Sequence, residues 1–173
     1  RDALQQAFDA AQEQLQSAGL SSALQAQWQN ARQSWQQLEA GVAQRSLSVA
    51  QSTAQHTALV ASLLHINEEL LELYGLQLEA NDNNFALIQA AMVNMPLLGD
   101  KLGQMRAQGT GFLSRRELPV LNKGLLLAQV QRVQELQGVT VRNFERAQHN
   151  QPAFTGALGQ AVQAANEQMT QTL

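Results

Sequence analysis

The chain of 173 residues contains no cysteine. It therefore has no disulfide bond, no cysteine-ligated zinc site and no cysteine nucleophile. The absence leaves the compartment open, because proteins on either side of a membrane can lack cysteine. At this length roughly 70% of the unfolded surface can be buried, so one domain can be stable without crosslinks.

Charged side chains are also scarce. They make up 14% of the chain, against about 25% in an ordinary soluble domain, and Gln, Asn, Ser and Thr take their place on the polar faces. The formal net charge is −3, and the sequence has no dense basic stripe. Nucleic-acid binding has no electrostatic basis here, because neutralising phosphates needs several clustered Lys or Arg residues.

Long apolar runs and strand patterns are missing as well. No stretch reaches the roughly 18 consecutive apolar residues of a membrane span, and no strand-length segment alternates apolar with polar residues. Aromatic residues make up only 5% of the chain, which also disfavours sheet. These absences predict an all-α protein.

Apolar residues instead recur at three- and four-residue spacing, which is typical of helices that lie along other helices. We call such a row a seam. The first seam contains Leu59, Leu63, Ile66, Leu70 and Leu73, and extends back through His56, Ser52 and Val49. The second contains Phe85, Ile88, Met92, Met95 and Leu102, and is interrupted by Gly99, Arg106 and Gly109.

Helix start and stop signals give the expected organisation. They predict a first helix at about 2–18, a second from 22 onward and a third at about 42–78. A fourth runs from the Asn81 polar cluster to about 113, the next follows it and reaches about 149, and the last covers 157–173. The fourth is expected to bend or break at Pro96, which cannot donate a backbone hydrogen bond. Residues 1–173 are thus predicted to form a single domain, an elongated antiparallel helical bundle of the four-helix type, with four long or six shorter helices left open.

Motifs that carry catalysis are not found. The sequence has no Gly-rich phosphate loop, no paired carboxylates in a cleft-forming context and no Ser/His/Asp arrangement of diagnostic spacing. His56 and His65 are nine residues apart, about 900° of helix rotation, which puts them on opposed faces. We predict no enzymatic activity, no metal site and no cofactor.

Three residues are candidates for ligand contact. Arg106 falls on the second seam and Arg132 aligns with the apolar row through Leu125 and Leu136, so each guanidinium is expected to face other helices and to need an anionic partner. His56 occupies a position in the first seam that favours an apolar residue. Each also has a structural interpretation: a solvated or paired Arg106, an Arg132 paired with Glu135, and a core imidazole.

Two further groups also have two interpretations. Trp28 and Trp35, seven residues apart, share a helix face and form either part of the core or a stacking platform for a ring ligand. Ser114, Arg115 and Arg116 form a short basic turn that is either solvated or placed to contact lipid phosphates.

Three segments carry a resemblance to a known family. Residues 56–64 read HTALVASLL, residues 76–87 read LQLEANDNNFAL, and residues 95–109 read MPLLGDKLGQMRAQG. They resemble a descending helix, a polar hairpin and a Pro, Leu-Gly, Arg, Gly helix of the extracytoplasmic helical-bundle sensor domain of bacterial methyl-accepting chemotaxis receptors and related sensor kinases.

The resemblance implies a periplasmic domain of an inner-membrane protein, excised from between two transmembrane helices, which forms a homodimer and passes a small-molecule signal as a helix displacement. The two arginines favour an organic acid or another small anion as the ligand. The alternative is a structural or protein-interaction bundle, such as a secretion or scaffold component, that binds no small molecule.

Overall fold

The computed structural model describes residues 2–149 and 156–172. Within those ranges the chain is helical, without a β-strand, and the all-α prediction is confirmed. The helices are α1 (Asp2–Ser17), α2 (Ser22–Ala43), α3 (Val49–Leu73), α4 (Asp82–Ile88), α5 (Met95–Arg115), α6 (Val120–Gln148) and α7 (Ala157–Thr172). A 3₁₀ turn (Leu76–Leu78) precedes α4, and a π-helical segment (Gln89–Asn94) joins α4 to α5.

The chain divides into two compact units, Arg1–Leu70 and Leu71–Leu173. Each unit has its own apolar cluster among the described residues. The sequence predicts one bundle with one core, and the structure differs in this respect. Close to the division α3 ends at Leu73, and the chain turns through Gly75 with φ +63°, a left-handed conformation that glycine adopts without steric cost.

The first unit is built around large side chains from α1, α2 and α3. Phe8 of α1 lies against two tryptophans of α2, with its ring centroid 5.3 Å from that of Trp28 and 6.1 Å from that of Trp35. The first seam completes this cluster through Leu59 and Ile66, which are 7% and 4% exposed. The central part of the seam is confirmed, whereas its predicted ends at Val49 and Leu73 are exposed.

The predicted helix at about 42–78 is wrong at its start. Helix α2 continues through Gly41 to Ala43, and α3 begins only at Val49. The reason is a reciprocal cap: Ser48 Oγ accepts a hydrogen bond from the N–H of Gln51 at 3.2 Å, and Gln51 Oε1 accepts one from the N–H of Ser48 at 2.9 Å. This capping box satisfies donors that the first turn of a helix leaves unpaired.

In the second unit, α4, the π-helical segment and α5 pack along α6. The Asn81 cluster acts as predicted, because Asn81 Oδ1 accepts hydrogen bonds from the N–H groups of Asn83 and Asn84 and thereby caps α4. At the proline the helix does not end. The N–H of Met95 donates to the carbonyl oxygen of Ala90, five residues earlier, so the ladder changes register just before Pro96 and continues into α5.

The buried row along α4, the π-helical segment and α5 differs from the predicted second seam. It is Ala86, Ala90, Asn94 and Leu98, whereas Met95 and Gly99 of the seam are exposed. The difference begins at Ala86, before the π-helical segment, whose wider turn then keeps residues four apart on one face. Because Ala86 and Ala90 are small, the backbones approach closely, with Cα atoms of α4 within 8 Å of Cα atoms of α6.

Candidate functional site

The strongest candidate site is an apolar hollow in the second unit, lined by α5, α6 and α7. Its volume is about 300 Å³, and we call it the α5–α6–α7 pocket. Its walls are formed by Met95, Leu98, Gly99, Leu102, Thr140, Val141, Phe144, Ala161, Val162 and Ala165. Nine of these ten residues carry no polar side-chain atom, so the pocket suits an apolar group.

Small residues leave the space open. Gly99 on α5 has no neighbour within 4 Å of the place where a Cβ would stand, and Ala161 and Ala165 on α7 contribute only methyl groups. The hydroxyl of Thr140 donates to the carbonyl oxygen of Leu136 at 2.7 Å. That donor is therefore already used, and the wall at Thr140 offers little polar attraction to a ligand.

A second, more open hollow adjoins this pocket. It has a volume of about 680 Å³ and shares Gly99, Leu102 and Ala165 with the pocket, while Arg106 forms part of its rim. Arg106 follows Leu102 by four residues on α5, which places both on one face of the helix. Its side chain is exposed, and no hydrogen bond or ion pair of its guanidinium is found within residues 2–149 and 156–172.

The two hollows together can bind a molecule that has an apolar body and a carboxylate. An apolar body would fill the α5–α6–α7 pocket, and a carboxylate attached to it would reach the rim, where Arg106 offers a planar set of donors that matches a carboxylate. The cation keeps its hydration until a ligand arrives, so the site needs no internal counter-charge.

The structure does not bring the three candidate residues to this site together. Arg132 does not line either hollow: its side chain is 64% exposed and forms an ion pair with Glu135 at 3.2 Å. His56 belongs to the first unit and is exposed, with Nδ1 2.8 Å from the carbonyl oxygen of Ser52. The expectation that both arginines face inward is wrong, because the buried face of α6 runs through Val133 and Leu136 and leaves Arg132 outside.

The other candidate groups have simple structural roles. Trp28 and Trp35 are 8% and 9% exposed and belong to the core, as the first of their two interpretations predicts. His65 lies 3.1 Å from Glu69 on the next turn of α3. In the part of the chain that the structure describes, no three His, Cys, Asp or Glu side chains are grouped so that they could hold a metal ion.

Sequence reasoning missed the place of Gly99 in the site and the burial of Asn94, which lies just before α5 and lines neither hollow. It treated Gly99 as an interruption of a seam, whereas Gly99 lines both hollows. It also gave no role to Asn94, which is 8% exposed and whose side-chain nitrogen forms no hydrogen bond with another described residue. In the sequence, Asn94 lies four positions before Leu98, so a helical row drawn through Leu98 would have pointed to this polar residue.

Comparison with known proteins identifies no relative. No protein-family model matches the chain, and no curated protein sequence or solved structure is significantly similar to it. Among the described residues no helix is both long enough and apolar enough to cross a membrane.

Proposed function

We propose that this chain is the periplasmic sensor domain of a bacterial transmembrane chemoreceptor, and that it binds a small organic anion with an apolar body in the α5–α6–α7 pocket. The membrane-spanning helices would flank this segment in the whole receptor, which we expect to act as a homodimer. The all-α architecture agrees with the resemblance of residues 56–64, 76–87 and 95–109 to such domains.

One observation carries the ligand part of the proposal: an apolar pocket adjoins a hollow rimmed by Arg106, a cation that forms no hydrogen bond or ion pair with another described residue. Leu98 and Phe144 supply apolar contacts, and Arg106 supplies charge at the rim. A charge-assisted bond between a guanidinium and a carboxylate is stronger than one between neutral groups. The ligand class that uses both features is a monocarboxylate with an aliphatic or aromatic tail.

Binding would be converted to a signal through helix position. The pocket is lined by three helices, so a molecule inside it contacts α5, α6 and α7 at once. It therefore favours the arrangement of these helices that accommodates it, and only a difference in affinity between two arrangements is needed to shift their populations. Small helix displacements of this kind are a known means of signalling.

The test is ligand-dependent thermal stability of the full chain. The panel consists of carboxylates of increasing apolar size, the matching neutral amides, amino acids, phosphate and nitrate. A ligand at about 100 times its Kd adds about 2.7 kcal/mol to the free energy of unfolding. We expect tailed carboxylates to stabilise the chain most, amides less, and inorganic anions least.

Two pairs of variants locate the site. Arg106→Gln is expected to remove the preference for acid over amide, while Arg132→Gln, a change of the same kind away from both hollows, keeps it. Gly99→Leu is expected to fill the pocket and weaken acid and amide alike. Gly109→Leu is its control, because Gly109 also has open space around its Cβ position but lines neither hollow.

The competing function is a structural or protein-interaction bundle. It is favoured by the large apolar side chains that remain exposed, such as Leu78 at 88% and Leu113 at 81%. This alternative predicts that no member of the panel stabilises the chain. A stabilisation that is equal in wild type, Arg106→Gln and Gly99→Leu would also reject the proposed site.

A further inference from the structure

Six of the exposed large apolar residues are concentrated where α5 passes into α6. We call residues 113–127 the α5–α6 tip. Its exposed apolar side chains are Leu113 at 81%, Leu118 at 47%, Val120 at 89%, Leu121 at 76%, Leu125 at 55% and Leu127 at 57%. Exposed large apolar side chains that are this concentrated along the chain indicate an interaction surface rather than ordinary surface scatter.

The apolar side chains occupy a defined face of α6. At about 100° per residue, Val120, Leu121, Leu125 and Leu127 fall within an arc of about 160°. Gly124 and Ala128 lie inside the same arc and add no polar side chain to it. Further along the helix the arc becomes polar at Gln131, Arg132 and Glu135, so the apolar face covers only about nine residues, or about 13 Å at 1.5 Å per residue.

The charges around this face have one predominant sign. The tip carries Arg115, Arg116 and Lys123 against a single carboxylate, Glu117, whereas the whole chain has a net charge of −3. All four of these side chains are exposed. The tip is thus a locally cationic end of an acidic protein.

At the end of α5 a cationic residue occupies a left-handed position at which glycine is the usual residue. Helix α5 ends in a motif in which the N–H of Glu117 donates to the carbonyl oxygen of Phe112 and the N–H of Arg116 donates to that of Leu113. The motif requires a left-handed residue, usually glycine. Here Arg116 fills that position with φ +54°.

From these observations we propose that the α5–α6 tip docks on an anionic lipid membrane, with its leucines inserted at the interface and Arg115, Arg116 and Lys123 at the level of the lipid phosphates. An apolar face flanked by cations is the combination that binds such surfaces.

Charge complementarity favours lipid over a second copy of the chain. In a two-fold symmetric contact the same patch meets itself, and three cations with one carboxylate would face an identical set. An anionic surface opposes them with charges of the other sign. The docking requires no ligand in the α5–α6–α7 pocket and is tested independently of it.

The first experiment is flotation of the full chain with lipid vesicles. One set is pure phosphatidylcholine, and the other contains about a quarter phosphatidylglycerol to provide negative surface charge. We expect binding to the anionic set and much weaker binding to the neutral set. Neutralising Arg115, Arg116 and Lys123 with Gln should reduce partitioning about fivefold for each cation.

Apolar insertion is tested by Leu121→Gln and Leu125→Gln, each of which should reduce partitioning about tenfold. Leu78→Gln is the matched control, because Leu78 is 88% exposed and lies in the 3₁₀ turn that precedes α4, outside the tip. Since these leucines are exposed, the variants should fold, and circular dichroism verifies that they do.

The missing cysteine permits a direct readout in an otherwise unaltered chain. Leu121→Cys can carry a single environment-sensitive fluorophore, whose emission should shift to the blue on anionic vesicles and be quenched by lipids labelled in the acyl chain. The same label at Leu78→Cys should not respond. Arg116→Gly should raise the thermal midpoint of the chain while it weakens vesicle binding, so stability and docking change in opposite directions.

The proposal is overturned if wild type does not float with anionic vesicles, or if the tip variants float as well as wild type. It is equally overturned if the tip variants change only the sedimentation of the chain, because the tip is then a contact between copies. Flotation that depends on both the leucines and the cations supports it.

Discussion

The side-chain nitrogen of Asn83 donates a hydrogen bond of 2.7 Å to the backbone carbonyl oxygen of His149. It links the first turn of α4 to the end of α6, 66 residues further along the chain. The two helices are therefore antiparallel, and one hydrogen bond fixes their relative position at this end of the second unit.

Removing this link should have a measurable but modest effect. Asn83→Ala is expected to lower the free energy of unfolding by about 1 kcal/mol, the usual net value of one hydrogen bond. Urea denaturation measures it. Asn122→Ala, on α6, serves as the control and should stay within about 0.5 kcal/mol of wild type; an equal loss in both variants would show that the Asn83 contact is not specific.

Asn94 should respond in the opposite sense. Its side-chain nitrogen is buried and forms no hydrogen bond within residues 2–149 and 156–172, and an unsatisfied buried polar group costs about 1–3 kcal/mol. Asn94→Leu is therefore expected to raise the free energy of unfolding by about 1 kcal/mol. Thr140→Val, in which a satisfied hydroxyl at 3% exposure is removed, should lower it by about 1 kcal/mol. If Asn94→Leu is the more damaging change, Asn94 is satisfied in solution.

Glycine substitutions separate helix propensity from backbone conformation. Gly109→Ala lies within α5 with open space around its Cβ position, and should stabilise the chain by about 1 kcal/mol. Gly75→Ala lies at φ +63°, where a Cβ costs roughly 1–2 kcal/mol. Thermal unfolding should thus shift upward for the first and downward for the second, and shifts of the same sign would contradict the assigned backbone at Gly75.

In the first unit the apolar contact of α1 should matter more than its ion pair. Phe8→Ala removes a ring that is 4% exposed and is expected to cost about 3–5 kcal/mol. Asp9→Asn breaks the 2.7 Å pair with Arg32, whose partners are 29% and 53% exposed, and should cost less than about 1 kcal/mol because solvent screens such pairs. Proteolysis of α1 should become much faster only in the first variant.

The elements that depend on local chemistry were predictable from the sequence. Leu59 and Ile66 repeat at helical spacing and are buried as expected. The cap at Asn81 follows from a side chain that acts on its immediate neighbours. The same is true of the break between α1 and α2, where Gly19 has φ +64°. The capping box of Ser48 and Gln51 is equally readable from the sequence, although Gly41 favours an earlier helix start.

The remainder depends on register and on distant partners. The buried row passes through Asn94 and Leu98 rather than through Met95 and Gly99. No propensity of these residues indicates this register or the π-helical turn before Pro96. Whether Arg106 and Arg132 face inward depends on where α7 and α6 lie. Sequence spacing could identify these two arginines as candidates, but only the packing of three helices separates the one that rims a hollow from the one paired with Glu135.

The separate interiors of the two units have a consequence for how the molecule tolerates change. The rings around Phe8 and the side chains around Val133 share no member, so a lesion in one interior leaves the contacts of the other intact. Melting is then expected to proceed in two steps rather than as one all-or-none event. A molecule bound near Leu98 would raise the melting temperature of the second unit only, so calorimetry would show which of the two units binds it.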